Sequence, residues 1–332
     1  MAGKREGSGN RKVTVEELLL EMHRTVDGLA EDGAGRADLK LLSRSLRELR
    51  HAFRFFDGLR DRPKVTVFGS ARLSPQSPAF RQAESFGREM ARLGWFVVTG
   101  AGEGIMEAAH LGAGAEHSIG VNILLPFEQS DNTVMAGNPR RIHTKYFFTR
   151  KLLFLKESSG VALFPGGFGT MDEAFEVLTL LQTGKTHPFP VVLVDEPGGT
   201  YWARWRRFLE EGLLERGLIS AEDLSLFRIT VDVDDAVREI QRYYRVFHSA
   251  RYVGKDLAIR IRKPLEPAAL RDLAGDFRDL LAEGGMTQTA ALPEEAEEPE
   301  IAGLPRIVFR FNNRSFGRLR QLIDRLNEES AR

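Results

Sequence analysis

The chain has 332 residues, enough for one large domain with attachments or for two domains. Apolar residues make up 42% and charged residues 28%, the balance of a globular protein, and 47 basic residues offset 47 acidic ones. A net charge of zero gives no sign of a chain built as a whole to hold a polyanion, and the lack of cysteine excludes disulfides, thiolate metal ligands and a cysteine nucleophile.

The first twelve residues, MAGKREGSGNRK, are small, basic and polar and are expected to be disordered. No signal-peptide core follows, because Thr14, Glu16 and Glu17 interrupt the apolar residues from Val13 to Leu20. No stretch approaches the ~18 apolar residues of a membrane helix, so a cytoplasmic protein off the membrane is expected. Residues 13–63 read as a helical leader. Leu18, Leu19, Met22, Val26 and Leu29 form one stripe, and Leu39, Leu42, Leu46, Leu49 and Phe53 a second, suited to packing on the main domain or on a subunit partner.

From Lys64 the text alternates between buried strands and helices. Val65 to Ser70, Phe96 to Gly100, Ile119 to Leu124, Val161 to Phe164 and Val191 to Val194 read as strands. Helical segments near Pro78–Leu93, Ile105–Ala115 and Thr170–Thr183 separate them, and Val233–Phe247 closes the unit. This α/β pattern over residues 64–248 predicts a Rossmann-like, doubly wound parallel sheet, which binds ligands in the loops leaving the strand carboxyl ends. Residues 249–332 predict a small α+β appendage. Leu257–Arg262 and Ile307–Phe311 alternate as strands, Pro267–Ala282 and Phe316–Asn327 read as helices, and the acidic run of residues 293–300 reads as a solvated loop. The arginines at 260, 262, 310, 314, 318 and 320 are read as solvated faces, with a nucleic-acid or acidic-partner surface as the rival; nucleic acid is not expected to be a partner.

Two strand ends are rich in glycine. Gly100-Ala101-Gly102-Glu103-Gly104 follows one strand and Pro165-Gly166-Gly167-Phe168-Gly169-Thr170 another. Glycines let the backbone approach an anion, and a helix N-terminus offers unpaired N–H groups and the positive end of a dipole. Neither segment is a Walker loop, and the first lacks the third glycine of GxGxxG. Tight packing is the competing reading of each. Glu173 follows Thr170 by three residues, which also fits a capping box, Thr170-Met171-Asp172-Glu173. Arg150 and Lys151 open the helix before the Val161 strand, where they are surface residues or reach a phosphate or ribose. The seven histidines show no metal-ligand spacing, and no metal is expected.

The run PGGFGTMDE (Pro165 to Glu173), with Arg150-Lys151 upstream, resembles the PGGxGTxxE signature of the LOG family, cytokinin-activating phosphoribohydrolases long mislabelled lysine decarboxylases. FGSAR (Phe68 to Arg72) and GIMEAA (Gly104 to Ala109, with Met106) resemble its other nucleotide-site segments. The likeness continues through LPFEQ (Leu125 to Gln129) and Leu180 to Val194. It implies hydrolysis of the N-glycosidic bond of a purine nucleoside 5′-monophosphate, AMP or an N6-modified relative, to free base and ribose 5-phosphate. Glu173 and Arg150 match the family's catalytic pair. Gly166, Gly167, Gly169 and Thr170 are then expected to hold the phosphate, and Ser70, Gly100, Gly102, Gly104, Met106 and Lys151 to line the rest of the nucleotide site. The resemblance also implies a homodimer or larger homo-oligomer of the longer bacterial branch, and no cofactor, since nothing around Lys151, Lys156 or Lys185 suggests a pyridoxal phosphate site. A non-catalytic nucleotide sensor or carrier on the same fold is the alternative. Ala101 stands where the family has glycine, at a cost only if its φ is positive.

Overall fold

The computed structural model describes residues 13–123, 131–296 and 298–328; the expected disordered tail and the Leu125–Gln129 segment lie outside them. The chain divides into two units, Met1–His51 and Ala52–Arg332. Helix α1 (Val15–Glu31) starts on a capping box in which Thr14 and Glu17 satisfy each other's backbone N–H groups. It buries none of its residues. Helix α2 (Arg36–Asp57) carries the second stripe, and the boundary between the units falls within it. Among the described residues no helix is long and apolar enough to cross a membrane.

Seven strands form the main sheet: β1 (Lys64–Phe68), β2 (Phe96–Thr99), β3 (Ser118–Ile123), β4 (Arg141–Thr144), β5 (Gly160–Leu163), β6 (Val191–Val194) and β7 (Arg228–Thr230). All neighbours pair in parallel, in the order β4-β3-β2-β1-β5-β6-β7. Sequence reading finds the five inner strands. It misses β4 and β7, which are only four and three residues long and partly exposed at the two edges.

Between the strands run α3 (Pro78–Arg92), α4 (Ile105–Ala113), α5 (Phe147–Lys156), α6 (Phe168–Gln182), α7 (Tyr201–Leu209) and α8 (Val233–Tyr243). Successive strand residues point to opposite faces. Val65 and Val67 of β1 join a core built with Phe80, Phe86, Ile105 and Ile240, from α3, α4 and α8. Thr66 points the other way, where its hydroxyl meets Ser158 Oγ at 2.5 Å beside the end of α5. The parallel sheet is thus doubly wound, as the alternation predicts. Strand order reverses between β1 and β5, so the loops leaving those two strands part around a crevice. Ser70 N–H donates to Pro165 O at 3.1 Å across it.

A second, antiparallel sheet follows, with strands β8 (Phe247–Val253), β9 (Asp256–Ile261), β10 (Leu281–Thr289) and β11 (Arg306–Phe311) in the order β10-β11-β9-β8. Helices α9 (Pro267–Asp276) and α10 (Phe316–Glu328) help cover it, around a core that includes Ile259, Phe277, Ile307, Phe309 and Leu322. The reading of Pro267–Ala282 as one helix is corrected here. The helix ends at Asp276, Leu280 turns into the core, and the chain becomes β10, a strand with two register shifts and a positive φ at Gly284. Likewise α8 stops at Tyr243 because Phe247 opens β8. Asn327 of α10 seals that junction: its Oδ1 accepts from Val246 and Phe247 N–H, and its Nδ2 donates to Tyr243 O and Ile323 O.

The acidic run is not simply a solvated loop. Glu295, 1% exposed, takes Arg260 on one oxygen (2.6 Å) and the fully buried Arg306 on the other (2.9 Å). Burial pushes its carboxyl up, but the Leu292 N–H and the two guanidinium groups outweigh that and leave its pKa lowered. Three more of the six arginines are also paired with acids, while Arg262 donates to Tyr244 O. Arg320 meets Glu239 and Asp324, Arg310 meets Asp256 and Glu283, and Arg318 meets Asp279. The suggested basic surface is therefore largely neutralised within the fold.

Candidate active site

The loops leaving β1, β2 and β5 enclose a cavity of about 790 Å³. It is lined by Ser70, Gly100, Gly102, Met106 and Arg150, by the run from Gly166 to Thr170, and by Glu173. Of the twelve residues singled out in the sequence, ten meet here; Gly104 and Lys151 stand behind the lining. Asn122, Phe147 and Phe154, which sequence reading does not single out, also line it. Phe68 and Arg72 lie in the FGSAR run that resembles a nucleotide-site segment of the LOG family, and both line the cavity.

The glycines here have steric reasons. A methyl group on Gly166 would stand 2.1 Å from Thr170 Oγ1 and 2.9 Å from Ser70 N. One on Gly104, whose φ is +63°, would stand 2.3 Å from Ser70 O, so the second loop can approach the first only without a side chain. Gly102 leaves room for Met106, whose Cε would lie 2.7 Å from an added Cβ. Tyr201, also missed in the sequence, donates its hydroxyl to Gly166 O at 2.5 Å and pins the phosphate-type loop from behind.

Helix α6 begins at Phe168 with Gly167 as its N-cap, and no side chain caps it. This removes the capping-box reading of Thr170 and Glu173: Thr170 already lies inside the helix. The residues of its first turn line the cavity, and an uncapped helix N-terminus there favours an anion. Glu173, 6% exposed, follows further along the same helix. Its Oε2 is buried with no hydrogen-bond partner among the described residues, and Lys151 Nζ is 4.0 Å away. Burial raises the Glu173 pKa to about 7, against the pull of Lys151 and Arg150. A buried carboxylate that lacks a donor on one oxygen and titrates near neutrality is the strongest chemical feature of the cavity. Arg150 sits over the rings of Phe147 and Phe154, at 5.0 and 5.7 Å.

Lys151 is turned toward α6 rather than into the cavity. It contacts Asp172 at 2.8 Å and Glu176 at 2.5 Å, which hold its pKa up despite burial. A Schiff-base lysine needs a readily deprotonated amine, so this residue does not fit pyridoxal chemistry. Its charge, 4.0 Å from Glu173 Oε2, pulls the Glu173 pKa down against burial. Lys151→Met should therefore raise the Glu173 pKa further and move the acid limb of any kcat/KM profile upward by roughly one pH unit. A pH–rate profile checks this; an unmoved limb would separate Lys151 from the titrating group.

The Gly100 turn is braced from below. Ala101 N–H donates to Thr99 Oγ1, while Ala101 O and Gly102 O accept from the backbone and side chain of Asn132. Asn132 Nδ2 also lies 3.2 Å from Nδ1 of the fully buried His110, whose pKa burial lowers to about 4. His110 is thus a neutral brace. Ala101 itself has φ +60°, the costly case. The strain is ~1–2 kcal/mol, and its buried methyl returns ~0.8 kcal/mol. Gly120 accommodates that methyl, since a Cβ there would be 2.9 Å from Ala101 Cβ. Ala101→Gly should therefore change stability by less than ~1 kcal/mol, in the stabilising direction, whereas Gly120→Ala should cost ~1–3 kcal/mol. A urea double-mutant cycle should show part of the Gly120→Ala cost vanish in the Ala101→Gly background.

The doubly wound sheet thus carries a glycine-lined crevice, a helix N-terminus and a buried carboxylate at the carboxyl ends of its strands, where α/β sheets take ligands. The family model described as "possible lysine decarboxylase" matches residues 103–240. The chain is 28% identical over 187 residues to the cytokinin riboside 5′-monophosphate phosphoribohydrolase LOG3 of Arabidopsis thaliana, covering 54% of this chain and 82% of that one. It is 29% identical over 161 residues to the phosphoribohydrolase of the same description from Mycobacterium tuberculosis, covering 47% and 82%. Among solved structures it is similar to the molybdenum cofactor carrier protein of Chlamydomonas reinhardtii, at 20% identity and a TM-score of 0.39 over 55% of this chain and 97% of that one. The resemblance to the LOG family expected from PGGFGTMDE is thus borne out, with a bacterial relative among the matches.

Proposed function

We propose that the chain is a nucleoside 5′-monophosphate phosphoribohydrolase that releases a purine base from AMP or an N6-modified AMP. The observation that carries this reading is Glu173: a carboxylate buried in the glycine-lined cavity, one oxygen without a donor, poised to titrate near pH 7. The names of its relatives point to the same substrate class.

In this reading the 5′-phosphate rests on the N–H groups of Gly167, Phe168, Gly169 and Thr170, and Arg150 orients phosphate or ribose by charge-assisted hydrogen bonds. The C1′–N bond breaks and its electron pair leaves with the base. The ribose gains oxocarbenium character, which the Glu173 carboxylate stabilises. Water bonds to C1′, gives its proton to Glu173 and completes ribose 5-phosphate; the departing base nitrogen takes up a proton from Glu173 or solvent. Because this requires the carboxylate, kcat/KM should rise with pH through about 7.

A homodimer or larger assembly is part of the proposal. Phe168, at the start of α6, is 97% exposed and Phe147 about half exposed, both in the lining of the cavity, and Phe148 next to Phe147 in the chain is as exposed. Light scattering of the full chain tests the assembly. Chromatography of AMP, GMP, CMP, isopentenyladenosine monophosphate and the matching nucleosides tests the reaction. Base release from monophosphates and not from nucleosides is expected. Nucleotide binding without release from any of them would favour the sensor or carrier reading instead.

A further inference from the structure

A second cavity, of about 270 Å³, lies away from the glycine loops, between the far end of α6 with the loop that follows it and the antiparallel sheet with α10. Its walls include Leu181, Phe189, Leu257 and Phe316. Lys185 is exposed at its lip, and its lining contains lysine and arginine but no carboxylate. The helix end beside it does not present spare carbonyls. Gly184, at φ +64°, and Lys185 donate back to Leu181 O and Leu180 O, closing the last turn in a Schellman motif.

Two buried polar groups lie in this lining without a partner among the described residues. Tyr243 is 1% exposed, and its hydroxyl has no hydrogen-bond partner. Burial keeps that phenol protonated, so it can donate. Arg320 stacks on the same ring at 4.9 Å. It spends Nε on Asp324 and Nη2 on Glu239, two acids that border a neighbouring cleft which Arg320 also lines, and its buried Nη1 is left over. A buried donor without an acceptor is costly, and more so when it is charged, so two on residues of one largely apolar lining call for an explanation.

We propose that this cavity is a second ligand site, taking a small anion with a flat apolar body, such as an aromatic carboxylate. The carboxylate meets the Tyr243 hydroxyl and Arg320 Nη1, and the body lies against the aliphatic and aromatic walls. The size suits a single ring better than a nucleotide, which separates this site from the cavity at Glu173.

The test uses the full chain with benzoate as probe and benzamide as its neutral counterpart, followed by calorimetry and saturation-transfer NMR. Benzoate should bind saturably, with a dissociation constant on the order of 1 mM, and benzamide at least ~10-fold more weakly. Tyr243→Phe should be as stable as the native chain or more so, since it removes an unpaired hydroxyl, yet bind benzoate ~10-fold more weakly. Ala250→Phe, which fills the cavity from β8, should abolish binding. No saturable binding, equal affinity for benzamide, or unchanged affinity in both variants would overturn the proposal.

Discussion

Glu173→Gln is expected to lower turnover of a nucleoside monophosphate by ~10³-fold and to make the chain more stable at alkaline pH. The first effect follows from removing the one buried carboxylate among the described residues of the cavity, a change worth ~10²–10⁴ when a group carries charge or a proton in the transition state. The second follows from burial. The folded pKa of Glu173 is raised from 4.5 to about 7, so its contribution to stability is fully present below pH 4.5 and is lost as pH rises through 7. That difference corresponds to ~3 kcal/mol, which glutamine, having no proton to lose, retains. His110 works in the opposite sense. Its pKa falls from 6.5 to about 4, so its contribution is present above pH 6.5 and is lost as pH falls through 4. The two tendencies offset each other in the native chain across the mildly acidic range. Denaturant midpoints at pH 5 and pH 8 should therefore show Glu173→Gln ahead by ~2–3 kcal/mol at pH 8 and near parity at pH 5. A variant no more stable than the native chain at pH 8 would remove burial as the cause of the raised pKa.

Glu295→Ala should be the most damaging single change outside the cavity, at ~3–5 kcal/mol. It would strand Arg306, which is fully buried, and Arg260, which is 7% exposed, each without its main counter-charge. Glu298 offers the control. It also contacts Arg260, at 2.7 Å, but is about one-third exposed, so Glu298→Ala should cost ~1 kcal/mol or less. Urea unfolding of both variants checks the contrast. Equal, small losses would mean that solvent reaches the Arg260–Glu295–Arg306 cluster.

The main sheet is legible because its inner strands are short, largely apolar runs, three of which (Val65–Phe68, Phe96–Thr99 and Val161–Phe164) lead into glycine turns. The edge strands are not. Arg141–Thr144 and Arg228–Thr230 carry arginines and have one neighbour each, so their composition looks like loop. Leu281–Thr289 was hidden for a different reason: Gly284, Gly285 and few β-branched residues contradict strand propensity, and pairing with Arg306–Phe311 overrides it. At the cavity the glycine loops, Arg150 and Glu173 could be read from motif and spacing. Tyr201, Asn132 and His110 could not, because they act from distant positions through hydrogen bonds that only the fold creates. Lys151 shows the limit of spacing: adjacent to Arg150 in sequence, it points to α6 and steadies the carboxylates there. The acidic run around Glu295 looked like a solvated loop because its two arginine partners lie 35 and 11 residues away.

The most direct test of the central claim is the conversion of AMP by the native chain and by Glu173→Gln, with adenine and ribose 5-phosphate quantified together. The account predicts equal amounts of the two products from the native chain, a rate rising with pH through about 7, and ~10³-fold less of both from the variant that still binds AMP. Products released equally well by the variant, or adenine formed without ribose 5-phosphate, would contradict it.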